Sequence, residues 1–156
     1  MAHARAIRGT GGYGVVIRYE RLGRKPHRKE FSGGFRLTTN NRMELMSVIV
    51  GLQQLKEPCE VELHSESKYI TSSSEGRLPQ KWKQAGWRRK KRGRVLNPDL
   101  WQRISELSEK APNHTCWVAS HSGDEENERC DQLAVSAANQ RDLPPDVVYE
   151  RENRHF

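Results

Sequence analysis

Apolar residues in this chain switch between a spacing of two and a helical spacing, and that alternation narrows the folds open to it. Residues 13–19 (YGVVIRY) are β-branched and aromatic, which predicts a strand. Residues 29–37 (KEFSGGFRL) read as its hairpin partner, with Gly33-Gly34 predicting a bulge. From Arg42 to about Lys56 the period turns helical, with Leu45, Val48, Ile49, Leu52 and Leu55 on one stripe and Asn40-Asn41 as the expected cap. Residues 60–64 (EVELH) alternate as a strand, and a short helix follows from Ser67. Ser72-Ser73-Ser74, Gly76 and Pro79 are expected to break that helix. Asn97-Pro98-Asp99 opens another helix, residues 115–119 (TCWVA) form a strand, and residues 125–140 a last helix. A hairpin followed by strands separated by helices predicts an α/β domain around a mixed sheet. Residues 143–156 show no periodicity and read as an unstructured tail.

A chain of 156 residues suits one domain with a core of its own. No apolar run is long enough to cross a bilayer and no leader resembles a signal peptide, so a cytoplasmic location is expected. Cys59, Cys116 and Cys130 are odd in number, widely spaced and set in apolar-periodic segments, which predicts buried free thiols.

The net charge of +7 is concentrated. Lys81, Lys83, Arg88, Arg89, Lys90, Lys91, Arg92 and Arg94 fall in one stretch without an acid, and without these eight the chain holds 19 basic and 20 acidic residues. Trp82 and Trp87 are interleaved with these charges. Cations for phosphates beside flat apolar groups for sugars or bases predict a nucleic-acid footprint rather than a solvated charge run.

Three carboxylates stand at the ends of elements. Glu44, in the first turn of its helix, borders the apolar stripe. Asp131 repeats this on the last helix, beside Asn127, Cys130, Leu133, Ala134, Ala137 and Ala138. Glu66 lies just past the C-terminal end of a strand, where open α/β sheets bind ligands. Carboxylates that converge repel one another unless cations neutralise them, and a hard divalent metal is their natural occupant. His121, in a loop with Ser120, Ser122 and Gly123, suits proton transfer beside such a site. Asp124, Glu125, Glu126 and Glu128 are explained by the dipole of the helix they begin.

TTNNRMELM (38–46), the KW and GW pairs within 81–87, NPDLWQRI (97–104) and SHSGDEENERCDQLA (120–134) closely resemble type 1 ribonuclease H of the bacterial kind, in order and spacing, over about residues 11–138. The resemblance implies a ribonuclease H-like α/β domain over residues 1–142, with a mixed sheet of up to five strands and helices on both faces. It implies a monomer that binds RNA–DNA hybrids, with no membrane and no small-molecule cofactor. The implied reaction is endonucleolytic hydrolysis of the RNA strand by two Mg²⁺ ions (Mn²⁺ as substitute), leaving a 3′-hydroxyl and a 5′-phosphate. Glu44, Glu66 and Asp131 look like the second, third and fourth metal-binding acids, and His121 like the proton-shuttling histidine. Thr39, Asn40 and Asn41 match the contacts that sense phosphate and 2′-hydroxyls. Residues 81–94, with Lys81, Trp82, Lys83, Trp87, Arg88, Arg89 and Lys90, look like the substrate-binding handle, and Lys68 lies near the groove.

This chain departs from the family pattern. The first metal-binding Asp of the family precedes a Gly-rich turn; here the turn is Gly9-Thr10-Gly11-Gly12, and the first acid in the chain is Glu20. The first strand is accordingly expected to be missing or poorly replaced by residues 2–7 (AHARAI). Glu66 stands where the family usually has Asp, and a shift of about an ångström at a reacting centre can cost on the order of a hundredfold in rate. Lys68 stands where relatives often carry Gln, and holds phosphate better than it reads bases. Three readings follow: an N-terminally truncated or degenerate member of an enzyme family, a hybrid-binding module with weak or lost catalysis, or a metal site completed another way by the longer Glu66. Two lesions at one centre favour weak or lost cleavage with salt-sensitive hybrid binding. The rival from another class is a non-catalytic nucleic-acid-binding module driven by the basic handle alone.

Overall fold

A four-residue strand at the head of the chain, β1 (Ala2–Arg5), lies in the middle of a five-stranded sheet. The computed structural model describes residues 2–5, 9–75, 78–89, 93–110, 114–119 and 123–154. The sheet contains β2 (Gly9–Tyr19), β3 (His27–Thr38), β4 (Glu60–Ser65) and β7 (His114–Ala119) in the order β3-β2-β1-β4-β7. β1 runs antiparallel to β2 and parallel to β4, so the sheet is mixed, as the alternation of elements predicts. Residues 2–5 therefore take the place of the doubtful first strand, but with a short reach. They pair with β2 at four positions and with β4 at one, Ala2 with Ser65.

The predicted bulge at Gly33-Gly34 is not there: both residues pair in unbroken register with Tyr13 and Gly12. The register slips instead between Gly9 and Gly11, where the turn residues enter β2. α1 (Asn40–Gln53) and α5 (Glu125–Ala138) cover opposite faces of the sheet. Val15 packs toward Gly51 of α1, whereas Gly12 and Gly14 face α5, and successive residues of a strand point to opposite faces. Only glycine fits at these two positions. A Cβ on Gly12 would fall 2.1 Å from the Ala134 carbonyl oxygen, and one on Gly14 2.3 Å from that of Cys130. Thr39, not the asparagines, caps α1: its side chain accepts from the Arg42 N–H while its backbone stays extended.

On the α1 side, Leu45, Val48, Ile49 and Leu52 pack with Ile70 of α2 (Lys68–Glu75), Val95, and Trp101 and Ile104 of α4 (Pro98–Lys110). The serine run expected to break α2 lies inside it, because Ile70, Thr71 and Ser73 are buried there and packing outweighs weak helix propensity. α3 (Leu78–Gln84) leads into the two-residue strands β5 (Arg88–Arg89) and β6 (Gly93–Arg94), which pair as a small hairpin.

Two further expectations are corrected. The segment after Leu143 is not unstructured. It forms α6 (Val147–Glu152), capped by Asp146 and held to β3 by the Arg36 N–H donating to the Pro144 carbonyl at 3.0 Å. This helix is too short for a stripe and none of its residues is buried, so hydrophobic periodicity had nothing to show. Of the thiols, Cys130 is buried but Cys59 is exposed, because it lies in the loop before β4 and not in the strand. The side chain of Cys116 lies outside the described residues.

Candidate functional site

The N-terminus of α1 is set by Thr39 and Arg42. Asn40 and Asn41 form its first turn and reach the surface, while Arg42 and Glu44 turn inward, at 3% and 5% exposure. Glu44 is therefore inside the packed face and not at its edge. Arg42 donates to both oxygens of Asp146 and both oxygens of Asp99, at 2.7–3.0 Å, and Thr38 donates to Asp146 at 2.7 Å. Burial acts to lower the proton affinity of the Arg42 guanidinium, and its two carboxylate partners more than offset that, so the charge is held firmly. This network fixes the chain on either side of Thr39, Asn40 and Asn41.

Glu66 is half-buried immediately after β4, where Ser65 Oγ accepts the Ser67 N–H at 3.1 Å. Asn127 Nδ2 on α5 donates to Glu66 Oε1 at 2.5 Å. Asn127 is 4% exposed, and Asp131 follows one helical turn later, half-buried on the same side of α5. Glu66 is thus tied to the helix that carries Asp131 through an amide that sequence reasoning counted only as part of the apolar stripe. The available signal was a polar side chain four residues before an acid in an otherwise small and apolar row.

These groups offer hard oxygens, and the buried Asn127 Oδ1 accepts no hydrogen bond among the described residues, as a position awaiting a donor or cation would. Among the described residues the set does not by itself make up a two-ion centre. Among the described residues no group of three or more His, Cys, Asp or Glu side chains is placed to hold a metal ion. β1, whose sequence is AHAR, supplies no carboxylate. His121 lies outside the described residues.

The basic segment is anchored by its indoles. Trp82 stacks edge-on against Trp101 with ring centroids 5.6 Å apart, and Trp101 Nε1 donates to the Tyr69 hydroxyl at 2.8 Å. Trp87 is half-buried against the same core, with backbone φ of 62°. That φ is strained for a bulky residue, and hydrogen bonds from the Trp87 N–H to Trp82 O and from the Val95 N–H to Trp87 O hold it. Both tryptophans therefore pack, half-buried, against the core. Lys68, Lys81, Lys83 and Arg88 are exposed, and Lys83 pairs with Glu109 on α4. Arg89 is described only as part of β5, and Lys90 lies outside the described residues.

Among the described residues no helix is long and apolar enough to cross a membrane. Residues 3–139 match the family model described as RNase H. A ribonuclease H of Desulforamulus reducens is 53% identical over 139 residues, 89% of this chain and 84% of that protein. One of Trichodesmium erythraeum is 47% identical over 142 residues, 91% of this chain and 87% of that protein. Among solved structures, LC9-RNase H1, described as a type 1 RNase H with the type 2 active-site motif, superposes with a TM-score of 0.71 at 31% identity, over 88% of this chain and 70% of that one. The mixed sheet, the helices on both its faces and these matches agree, and the chain belongs to the ribonuclease H family.

Proposed function

We propose that this protein binds RNA–DNA hybrids and cleaves their RNA strand weakly or not at all. Binding draws on the first turn of α1 (Thr39, Asn40, Asn41), on the exposed cations of the handle, Lys81 and Arg88, and on the exposed Lys68 at the start of α2. The family's reaction uses divalent cations, Mg²⁺ above all, to activate water and stabilise the leaving oxygen. In this reading Glu44, Glu66 and Asp131 are the remnant of that site and His121 its proton carrier. Impaired catalysis is supported above all by the incomplete oxygen set: β1 brings no acid, and no three described acids gather. The reading also takes the protein to be a cytoplasmic monomer.

Competition binding with a labelled hybrid tests the first half. Hybrid is expected to displace it better than plain duplex DNA, with affinity falling steeply with salt. If competition followed salt alone, the protein would be a non-catalytic nucleic-acid-binding module driven by the basic handle. Cleavage assays in Mg²⁺ and Mn²⁺ test the second half. Robust Mg²⁺-dependent cleavage by this polypeptide, abolished by Glu44→Ala, overturns it.

A further inference from the structure

The first turn of α1 and the basic handle are far apart in sequence, yet both are held by one helix, α4. Asp99, in the first turn of α4, accepts from Arg42 Nη1 at 2.9 Å and from Nη2 at 2.7 Å. Asn97 Oδ1, just ahead of that turn, accepts from Nη1 at 3.4 Å. Asp146 takes the bonds from Nε and Nη2, so all five N–H groups of the Arg42 guanidinium are engaged. Two residues past Asp99, the fully buried Trp101 stacks against Trp82 of α3. Near the other end of α4, Glu109 pairs with Lys83. The start of α4 thus grips α1, and the same helix carries the handle.

Tyr69, near the start of α2, closes this joint. Its ring meets Trp101 edge-on, with centroids 5.9 Å apart. Its hydroxyl accepts from Trp101 Nε1 at 2.8 Å and from Asn97 Nδ2 at 3.5 Å. One oxygen therefore touches both the indole that carries the handle and the amide that meets Arg42. Asn97 sits in left-handed backbone, at φ of 53°, and both ends of its amide are bonded. Removing the hydroxyl alone would leave the Trp101 N–H without an acceptor among the described residues and free one end of that amide.

We propose that Tyr69 and the first turn of α4 couple the two parts of the hybrid-binding surface, so that contact at the α1 turn and grip by the handle strengthen one another. Two contact regions on one stiff body meet a duplex in fixed relation, and the second engages at high effective concentration once the first is in place. A loose joint would have to be ordered at the moment of binding, which weakens both contacts. Tyr69 is then a positioning residue, acting through Trp101 and Asn97. The coupling rests on the hybrid-binding reading, but the joint itself can be tested without nucleic acid.

The first arm measures hybrid affinity for Asn41→Ala, Arg88→Ala and the two together, in the parent and in Tyr69→Phe. In the parent the double variant is expected to lose about fivefold less than the product of the single losses. In Tyr69→Phe the losses should multiply to within about twofold. The slope of log affinity against log salt should stay the same in Tyr69→Phe alone, because the cations still meet phosphate. Val16→Ala, buried under α5 away from the joint, is the control for lost stability and should leave the coupling intact. The second arm uses the free protein. Tyr69→Phe and Asp146→Asn should each speed exchange of the Trp87 and Val95 amides, which close the handle, about threefold or more, and Val16→Ala should not. Asp146 does not touch α4 or the handle in this network, so its effect has to pass through Arg42. Losses that multiply in the parent, equal coupling in Tyr69→Phe, or coupling lost in Val16→Ala overturn the proposal. So does handle exchange unchanged in both variants, or changed equally in Val16→Ala. If neither hybrid nor plain DNA duplex bound, the hybrid-binding reading would fall, and handle exchange alone would decide whether the joint exists.

Discussion

Arg42 Nε on α1 donates to Asp146 Oδ2 at 2.7 Å, joining the first helix to the C-terminal segment across 104 positions of sequence. Both side chains are almost wholly buried, at 4% and 9% exposure, and Asp146 also receives the Thr38 hydroxyl. Losing this carboxylate leaves Arg42 paired with Asp99 alone and weakens three buried charge-assisted hydrogen bonds, so Asp146→Asn is expected to lower the unfolding free energy by about 1–3 kcal/mol. Asp99→Asn should cost less, since that carboxylate is 27% exposed and water can replace part of what Arg42 loses. Urea denaturation of the two variants against the parent checks the order. Equal and small losses would mean that the C-terminal segment contributes little to holding α1.

The outer pairs of the sheet edge predict a loss of stability in acid. The Glu150 carboxyl is held below its ordinary range by its hydrogen bond to Arg36, and Glu30 by its bond to Arg129, with burial opposing both. A carboxyl with a folded pKa below its unfolded one stabilises the fold above the unfolded value, about 4.3 for Glu, and that contribution disappears as pH falls through the folded value. The stability difference between the parent and Glu150→Gln should therefore be present at pH 7 and vanish below the carboxyl range. Because the arginine partners are 60% and 43% exposed and keep both pairs within reach of water, added salt should shrink it too. A difference that grows on acidification would contradict the pairing.

Thiol chemistry separates two cysteines. Burial pushes the Cys130 thiol up to about 11, and thiolate is the reactive form. Cys59 is exposed. A water-soluble thiol reagent at pH 8 should modify Cys59 in the native protein and reach Cys130 only once the chain unfolds, which peptide mapping after timed labelling will show. Rapid native labelling of Cys130 would mean that α5 opens from β2.

The handle's cations and its indoles are expected to fail differently. Lys81→Ala and Arg88→Ala should each weaken hybrid binding across all sequences and reduce the slope of log affinity against log salt by about 1. Lys83→Ala should do less, because that ammonium is already engaged by Glu109. Trp82→Ala should lower stability by about 2 kcal/mol, by opening the contact with Trp101. If Trp82→Ala abolished binding with no change in stability, the indole would be a stacking platform for bases and not an anchor.

How far the sequence could be read follows from which interactions have a period. The stripe of α1 and the alternation of β2 and β4 repeat with the geometry of the element, so those elements, their order and the mixed sheet were visible in the spacing alone. Thr39, Glu44 and Asp131 lay in motifs dense enough to name a family. The C-terminal helix was invisible because single long-range pairs hold it: Arg36 with Glu150, Arg42 with Asp146. Trp82 shows a related limit. Composition places an indole among charges but not its partner, and the partner, Trp101, lies in another helix. Glu44 looked like a boundary residue on a helical wheel and is buried, because the wheel cannot show that β1, β2, β3 and α4 all close on α1.

Asn127 offers the sharpest test of the carboxylate site. Its amide donates to Glu66 at 2.5 Å, at a depth where one charge is tolerated because it is hydrogen-bonded. Asn127→Asp replaces that donor with a second carboxylate in the same place. Like charges at contact distance cannot both ionise without cost, so the variant should be destabilised at neutral pH, by about 2 kcal/mol, and one of the two carboxyls should titrate well above its ordinary range. Acid should relieve the loss by protonating one partner. Millimolar Mg²⁺ should relieve it too, because a cation between the two oxygens removes the same repulsion. Asn127→Ala, which takes away the donor and the unsatisfied Oδ1 together, should cost only about 1 kcal/mol and gain nothing from Mg²⁺. Denaturation of both variants at pH 4 and pH 7, with and without Mg²⁺, separates these outcomes. If Asn127→Asp were as stable as the parent at pH 7 in the absence of divalent ions, Glu66 would not face Asn127 in solution, and the link between β4 and α5 at this site would have to be abandoned.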